Sequence, residues 1–222
     1  KLGISILITY ILISVFPPDK NSNFENAVQY VIICFKELSV GLIIGIITTL
    51  FFSAVHTAGQ LIDMQIGFSS FQVFEASFNL QVPVTGNFLN IVLLICFFVA
   101  NGHLVLIRLI ADTFKIIPVG GALMRPQIAL CFAQIFVTTF TMAIKIAMPI
   151  IAASLLTEII LGILIRAVPQ MNFFVIGFPI KIGLGMLVLF AFIPVFVNAS
   201  NYIFEEMIAA IKKTFDVMVV KT

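Results

Sequence analysis

Apolar residues run through this chain in blocks too long for the single buried face of a soluble helix or strand, and the polar breaks between blocks mark out the elements. Gly3 to Phe16 is apolar and closed by Pro17-Pro18, which predicts a helix shorter than the ~20 residues of a full membrane span. Asp19 to Asn26 is polar and reads as an exposed loop. Ala27 to Ile66 stays apolar for about twice the length of a span, so a helix there must tilt, bend or leave the hydrocarbon. Asn87 to Asp112 reads as the next helix, interrupted at Asn101-Gly102-His103, and Lys115 to Pro126 as a loop holding Pro118, Gly120 and Gly121. Gln127 to Val168 is again about twice the hydrocarbon thickness, and Pro149 inside it predicts a tight helical hairpin rather than one rod. Asn172 to Val197 is the last long apolar segment. From Asn198 the pattern changes. Ile203, Met207, Ile211, Phe215 and Met218 recur at helical spacing opposite Glu205, Glu206, Lys212, Lys213 and Asp216, which predicts an amphipathic helix at an interface or against a partner.

Two stretches break the apolar pattern without being simple loops. Gly67 to Gly86 carries Phe68, Phe71, Phe74 and Phe78 at a spacing that lays four rings on one helical face, yet Pro83, the flanking glycines and several polar residues argue for irregular backbone. Irregular backbone at membrane depth is tolerated only when buried in protein or lining a cavity. Core packing is the plainer account of the rings, and closure of a pore by hydrophobic side chains on a flexible segment is the alternative. Pro169 to Lys181 likewise sets Gln170, Asn172, Pro179 and Lys181 within apolar sequence. Such groups are costly in lipid unless a protein surface or a water-filled path satisfies them.

Composition narrows the class. The chain is 61% hydrophobic and 10% charged over 222 residues, more apolar surface than a soluble domain of that size can hide, so the expected class is an all-α membrane protein in one domain, 1–222. A net charge of +2 without a basic cluster gives no case for nucleic acid. Cys34, Cys96 and Cys131 all lie in apolar runs with no close pair, and reduced buried thiols are the simplest reading. No cofactor or metal motif is present in the sequence, and neither His56 nor His103 has the His-Glu-x-x-His context of a metalloprotease. Ser53 lacks a Gly-x-Ser-x-Gly turn. An enzyme is not expected.

Lys36, Glu37, Asp63, Lys145, Glu158 and Lys181 sit in apolar context, where ionisable groups often mark an ion path, but they also pair across subunits or reach an interface by snorkelling. A small ion-coupled secondary transporter is therefore the rival reading. Such transporters commonly have two related halves with matching broken helices, and the irregular segment at 67–86 has no counterpart in the second half. Gly41 and Gly45 form a Gly-x-x-x-Gly spacing that permits close helix approach.

An ordered series of motifs resembles one family. Gly41-Leu-Ile-Ile-Gly45, Ala58-Gly-Gln-Leu-Ile-Asp-Met-Gln-Ile-Gly-Phe68, Gln81-Val-Pro-Val84, Asn101-Gly-His103, Ile117-Pro118-Val-Gly120 and the Pro169-Gln-Met-Asn172 to Gly177-Phe-Pro-Ile-Lys181 element are similar to the FliR/SctT family of type III secretion export gates. Glu75-Ala76 stands where the family often has Asp-Pro, and the Gly102-His103 element with Ile66 is closer to the flagellar branch. The resemblance implies bent helical hairpins with an irregular plug loop in a helical hetero-oligomeric gate of the bacterial inner membrane and flagellar basal body. It implies FliP-like, FliQ-like and FlhB-like partners and passage of unfolded flagellar proteins. On that basis Gly67, Phe68, Phe71, Phe74, Phe78 and Pro83 are expected to form the plug. Gly41, Gly45, Gly59, Gln170, Asn172 and Lys181 are expected at subunit contacts. The first family helix is expected to be incomplete before Lys1, with 198–222 as an amphipathic tail.

Overall fold

A computed structural model describes residues 2–15, 27–68, 83–117, 120–123, 125–167 and 173–219. They form six helices: α1 (Leu2–Val15), α2 (Ala27–Ile66), α3 (Val84–Val99), α4 (Gly102–Ile116), α5 (Gln127–Ala167) and α6 (Phe173–Met218). No strand occurs among the described residues. Helix α2 is the centre of the fold, packed against α5, α3 and α6. Its buried positions Val40, Ile43, Ile47, Phe51, Val55, Ala58, Ile62 and Ile66 follow the 3–4 residue spacing of one helical face. The opposite face is apolar too, with Leu38 and Leu42 exposed, which is why no amphipathic pattern is visible along it.

The core continues through Leu89 and Leu93 of α3, Ile135, Ala147 and Ile150 of α5, and Phe196, Met207, Ile211 and Phe215 of α6. Phe97 of α3 meets Phe204 of α6 edge-on with ring centroids 5.4 Å apart. Helices α3 and α4 are bent by 67° at the expected break, where Asn101 takes the left-handed conformation (φ 56°) that Asn tolerates better than most residues.

Two expectations change. Gln127–Ala167 is one helix of 41 residues, not a hairpin. Pro149 removes one backbone donor and can bend a helix, but reversing the chain needs turn residues, and the flanking Ile-Ala-Met and Ile-Ile-Ala supply none. The tail after Asn198 continues α6 without a break, and Ile203, Phe204, Met207, Ile211, Phe215 and Met218 are buried in the chain's own core. Lys213 Nζ donates to Gln134 Oε1 of α5 at 2.8 Å, and Leu123 N to Met218 O at 3.2 Å, so this amphipathic face packs at home.

The adjacent charges Lys36 and Glu37 grip the loop after α4. Lys36 Nζ donates to the Gly120 carbonyl at 3.0 Å, and the Gly120 N–H donates to Glu37 Oε1 at 2.9 Å. One peptide group segment thus neutralises the polar demand of both side chains inside an apolar run. Gly120 has φ +78°, which a side chain would strain, and a Cβ there would lie 3.0 Å from Ile33.

Candidate functional site

The C-terminus of α2, the N-terminus of α3, the middle of α5 and the first turns of α6 meet at a junction that ties down both ends of the 67–86 segment. Helix α3 starts after Pro83, which has no side-chain acceptor to cap it. The cap comes from another helix. The Thr85 N–H, one of the orphan donors of the first turn, is 3.1 Å from each oxygen of the Asp63 carboxylate. Asp63 is 3% exposed, and a carboxylate at this end also complements the partial positive charge of the helix terminus.

The other end of the segment is closed in a similar way. Gly67 donates its N–H to the Asp63 carbonyl at 3.1 Å and has φ +102°, the glycine-favouring geometry that ends a helix. The carbonyl of Gln65, in the last turn of α2, accepts from Ser154 Oγ of α5 at 3.0 Å. Ile66 packs over Gly185 of α6, and a Cβ on Gly67 would stand 3.2 Å from the Phe178 ring. Side chains from distant elements therefore satisfy both helix ends.

The α2–α3 crossing is a backbone-on-backbone contact. A Cβ on Gly59 would lie 2.1 Å from Gly86 Cα and 2.3 Å from Gly86 N, and a Cβ on Gly86 would meet the His56 carbonyl at 2.9 Å. Only hydrogen at both positions allows the approach that carries Thr85 to Asp63. Beside the junction, an open groove of about 420 Å³ is lined by Met64, Gly67, Glu158, Gly162, Phe178 and Lys181. Lys181 of α6 forms an ion pair there with Glu158 of α5. Exchanging the two charges (Glu158→Lys with Lys181→Glu) is expected to recover the stability lost by either single change. A double-mutant cycle on melting temperature should give a coupling of about 1 kcal/mol.

The site residues expected from the sequence separate into groups. Gly67, Phe68 and Pro83 flank the junction, and Phe68 packs against the core. Phe71, Phe74 and Phe78 lie outside the described residues, as do Gln170 and Asn172. Gly59 makes the close contact with Gly86, whereas Gly41 and Gly45 have nothing within 4 Å of an added Cβ. Lys181 pairs within its own chain. Thr85, Ser154 and Gly185 were not singled out from the sequence, and Gly86 only as the glycine that closes the irregular segment. A usable signal existed for Thr85: a helix opening Pro-Val-Thr-Gly has no local capping side chain, and Asp63 was an unassigned carboxylate. Among the described residues, no group of three or more His, Cys, Asp and Glu could hold a metal ion.

The ion-path expectation changes in the same light. Lys36, Glu37, Asp63, Glu158 and Lys181 each have a partner within the chain, so these charges stabilise the fold's own contacts. Among the described residues, three helices are long and apolar enough to cross a membrane, or four if the bent α3–α4 pair is one span. Only 17% of the most apolar stretch of α5, and the same share of α6, is buried within the chain. These features define a polytopic helical membrane protein with broad apolar faces left for lipid or for neighbours.

The family model described as bacterial export proteins, family 1, matches residues 1–207, and the chain belongs to that family. It is 29% identical over 207 residues to the flagellar biosynthetic protein FliR of Escherichia coli (strain K12), covering 93% of this chain and 78% of that protein. It is 32% identical over 192 residues to FliR of Bacillus subtilis (strain 168), covering 85% and 73%. The Yop proteins translocation protein T of Yersinia pestis is 27% identical over 181 residues, covering 79% and 69%. None of these three is named for ion-coupled transport, and the transporter reading gains no support from them.

Proposed function

We infer that this chain is a non-catalytic subunit of the flagellar type III export gate that helps form and seal the channel for unfolded flagellar proteins. The observation that carries the reading is the export-family match across residues 1–207. Its place is the bacterial inner membrane at the flagellar basal body, and the three long apolar helices among its described residues fit that place. Helices of 40, 41 and 46 residues are roughly 60 to 70 Å long, about twice a bilayer core. They extend past the hydrocarbon, where neighbouring subunits can cover their apolar faces.

The partners are FliP-like and FliQ-like subunits with an FlhB-like protein, and Gly41 and Gly45, open on the chain's own surface, are contact points for one of them. Gln170 and Asn172 serve the same subunit packing, while Lys181 is held by Glu158 of its own chain. The plug consists of the segment that begins at Gly67 and Phe68 and ends at Pro83, with Phe71, Phe74 and Phe78 as sealing rings. The junction at Asp63, Thr85, Gly59 and Gly86 supports this role by holding the two ends of that segment at one place. A fixed base lets a segment open or close without loosening the helices behind it. Energy for export comes from elsewhere, since the sequence has no Gly-x-x-x-x-Gly-Lys nucleotide loop.

The test is the native mass of the tagged chain after co-expression with FliP-like and FliQ-like proteins. A discrete hetero-complex that disappears when either partner is omitted is expected, and a chain that binds neither partner would overturn the reading. Within an assembled gate, deletion of Ser69 to Phe78 is expected to raise ion leakage across the membrane. Unchanged leakage in a complex of normal mass would remove the plug assignment.

A further inference from the structure

Of the lysines in apolar context, Lys36, Lys145 and Lys181, one is left over. Lys36, Lys181 and Lys213 reach oxygen acceptors inside the chain, whereas Lys145 meets none among the described residues. It is exposed near the middle of α5, and from Gln127 to Thr157 it is the only residue of Asp, Glu, Lys, Arg or His type. Along a straight helix the nearest ionisable residue of α5, Glu158, is about 20 Å away, and the helix start about 27 Å. Large apolar side chains surround it on α5, with Phe140, Ile144 and Met148 all exposed.

A second feature falls on the same turn. Pro149 has no N–H to give to the carbonyl four residues earlier, and that carbonyl belongs to Lys145. Thr141, Pro149 and Ala152, all exposed, flank the lysine along its face, so the surface there is shallow enough for another helix to approach. An ammonium and a backbone acceptor released from helix bonding therefore stand together on an apolar surface, where each needs a partner.

We propose that the Thr141–Ala152 face of α5 is a subunit contact that receives a neighbouring apolar helix carrying a carboxylate opposite Lys145. The proposal rests on the gate reading and gives that subunit packing a chemical identity. An acidic group inside an apolar partner helix has the same difficulty as Lys145, and pairing the two offsets part of the cost that either charge carries unpaired. Reversal of the charge places two anions together, so it is worse than neutralisation.

The experiment uses the full chain co-expressed with the other gate subunits, and reads the yield of intact complex by native mass. Lys145→Arg is expected to assemble within about twofold of the unchanged chain, and Lys145→Glu to lose at least about tenfold, the scale of a reversed desolvated pair. Because Lys145→Glu could fail to insert, a photo-crosslinking amino acid is also placed at Met148 in the otherwise unchanged chain. Its crosslinks are expected on a partner peptide with Asp or Glu within one helical turn. Changing that acid to Lys should restore assembly of Lys145→Glu. Full assembly of Lys145→Glu, or crosslinks to lipid alone, overturns the proposal while leaving the gate reading intact. Absence of any complex with the unchanged chain overturns the gate reading itself.

Discussion

Gly59→Ala is expected to lower the melting temperature of the purified chain by about 6–12 °C, corresponding to about 3 kcal/mol for a protein of this size. The added methyl would lie 2.1 Å from Gly86 Cα, 2.3 Å from Gly86 N and 2.9 Å from the Thr85 carbonyl carbon. All three neighbours are backbone, so no rotamer change can relieve the overlap. The α2–α3 crossing must widen by more than an ångström or so, and widening stretches the contacts between Thr85 and Asp63 as well. Gly41→Ala and Gly45→Ala are the internal controls. With nothing within 4 Å of either, each should change the melting temperature of the lone chain little, since alanine favours the helix over glycine. Equal behaviour of all three variants would contradict the close approach.

Asp63→Ala has the second largest expected effect on the chain alone. It removes the acceptor of the Thr85 N–H in a site that water does not reach, leaving a buried donor unpaired at a cost of about 1–3 kcal/mol. Asp63→Asn keeps one oxygen acceptor and should lose less than Asp63→Ala. The two variants separate capping from mere volume. Amide hydrogen exchange at Thr85 is the direct readout, and each 1.4 kcal/mol of lost local stability accelerates exchange about tenfold. Swimming of cells relying on the variant adds the functional readout: if the clamp positions the following segment, motility should fall in the order Asp63, Asp63→Asn, Asp63→Ala. Normal Thr85 protection in Asp63→Ala would show that another group caps α3.

Much of the architecture could be read along the chain because it follows from local chemistry. Asn101-Gly102 predicted the break between α3 and α4, and Gly120 within Lys115 to Pro126 predicted the loop before α5. The exclusion of a soluble class followed from composition alone. Pro149 misled, since a proline weakens one turn of a helix but does not by itself supply a reversal, and α5 runs through it. The tail after Asn198 misled differently. Its amphipathic period was real, but a period identifies a face and leaves open what covers it. Here the cover is the chain's own core.

The candidate site was half visible. Gly67, Pro83 and Gly59 stand out by residue type in apolar surroundings, whereas Ser154 looks like any other serine in a helix until its hydroxyl is seen on the Gln65 carbonyl. Asp63 was visible as a charge out of place, yet its role depends on Thr85 being brought beside it across the intervening segment.

By itself the sequence determined the helical membrane class, most breaks between helices, the export family and the presence of an unusual segment between Gly67 and Gly86. Those properties depend on hydropathy, proline and glycine chemistry and ordered motifs, all of which act over short stretches. Only the tertiary structure decided which charges are spent inside the chain, that Gly59 rather than Gly41 or Gly45 makes the intrachain contact, and that Lys145 alone among the six charges in apolar context has no partner among the described residues. Pairing between residues far apart in the chain depends on how helices cross, and a crossing is set by packing that no single stretch of sequence contains.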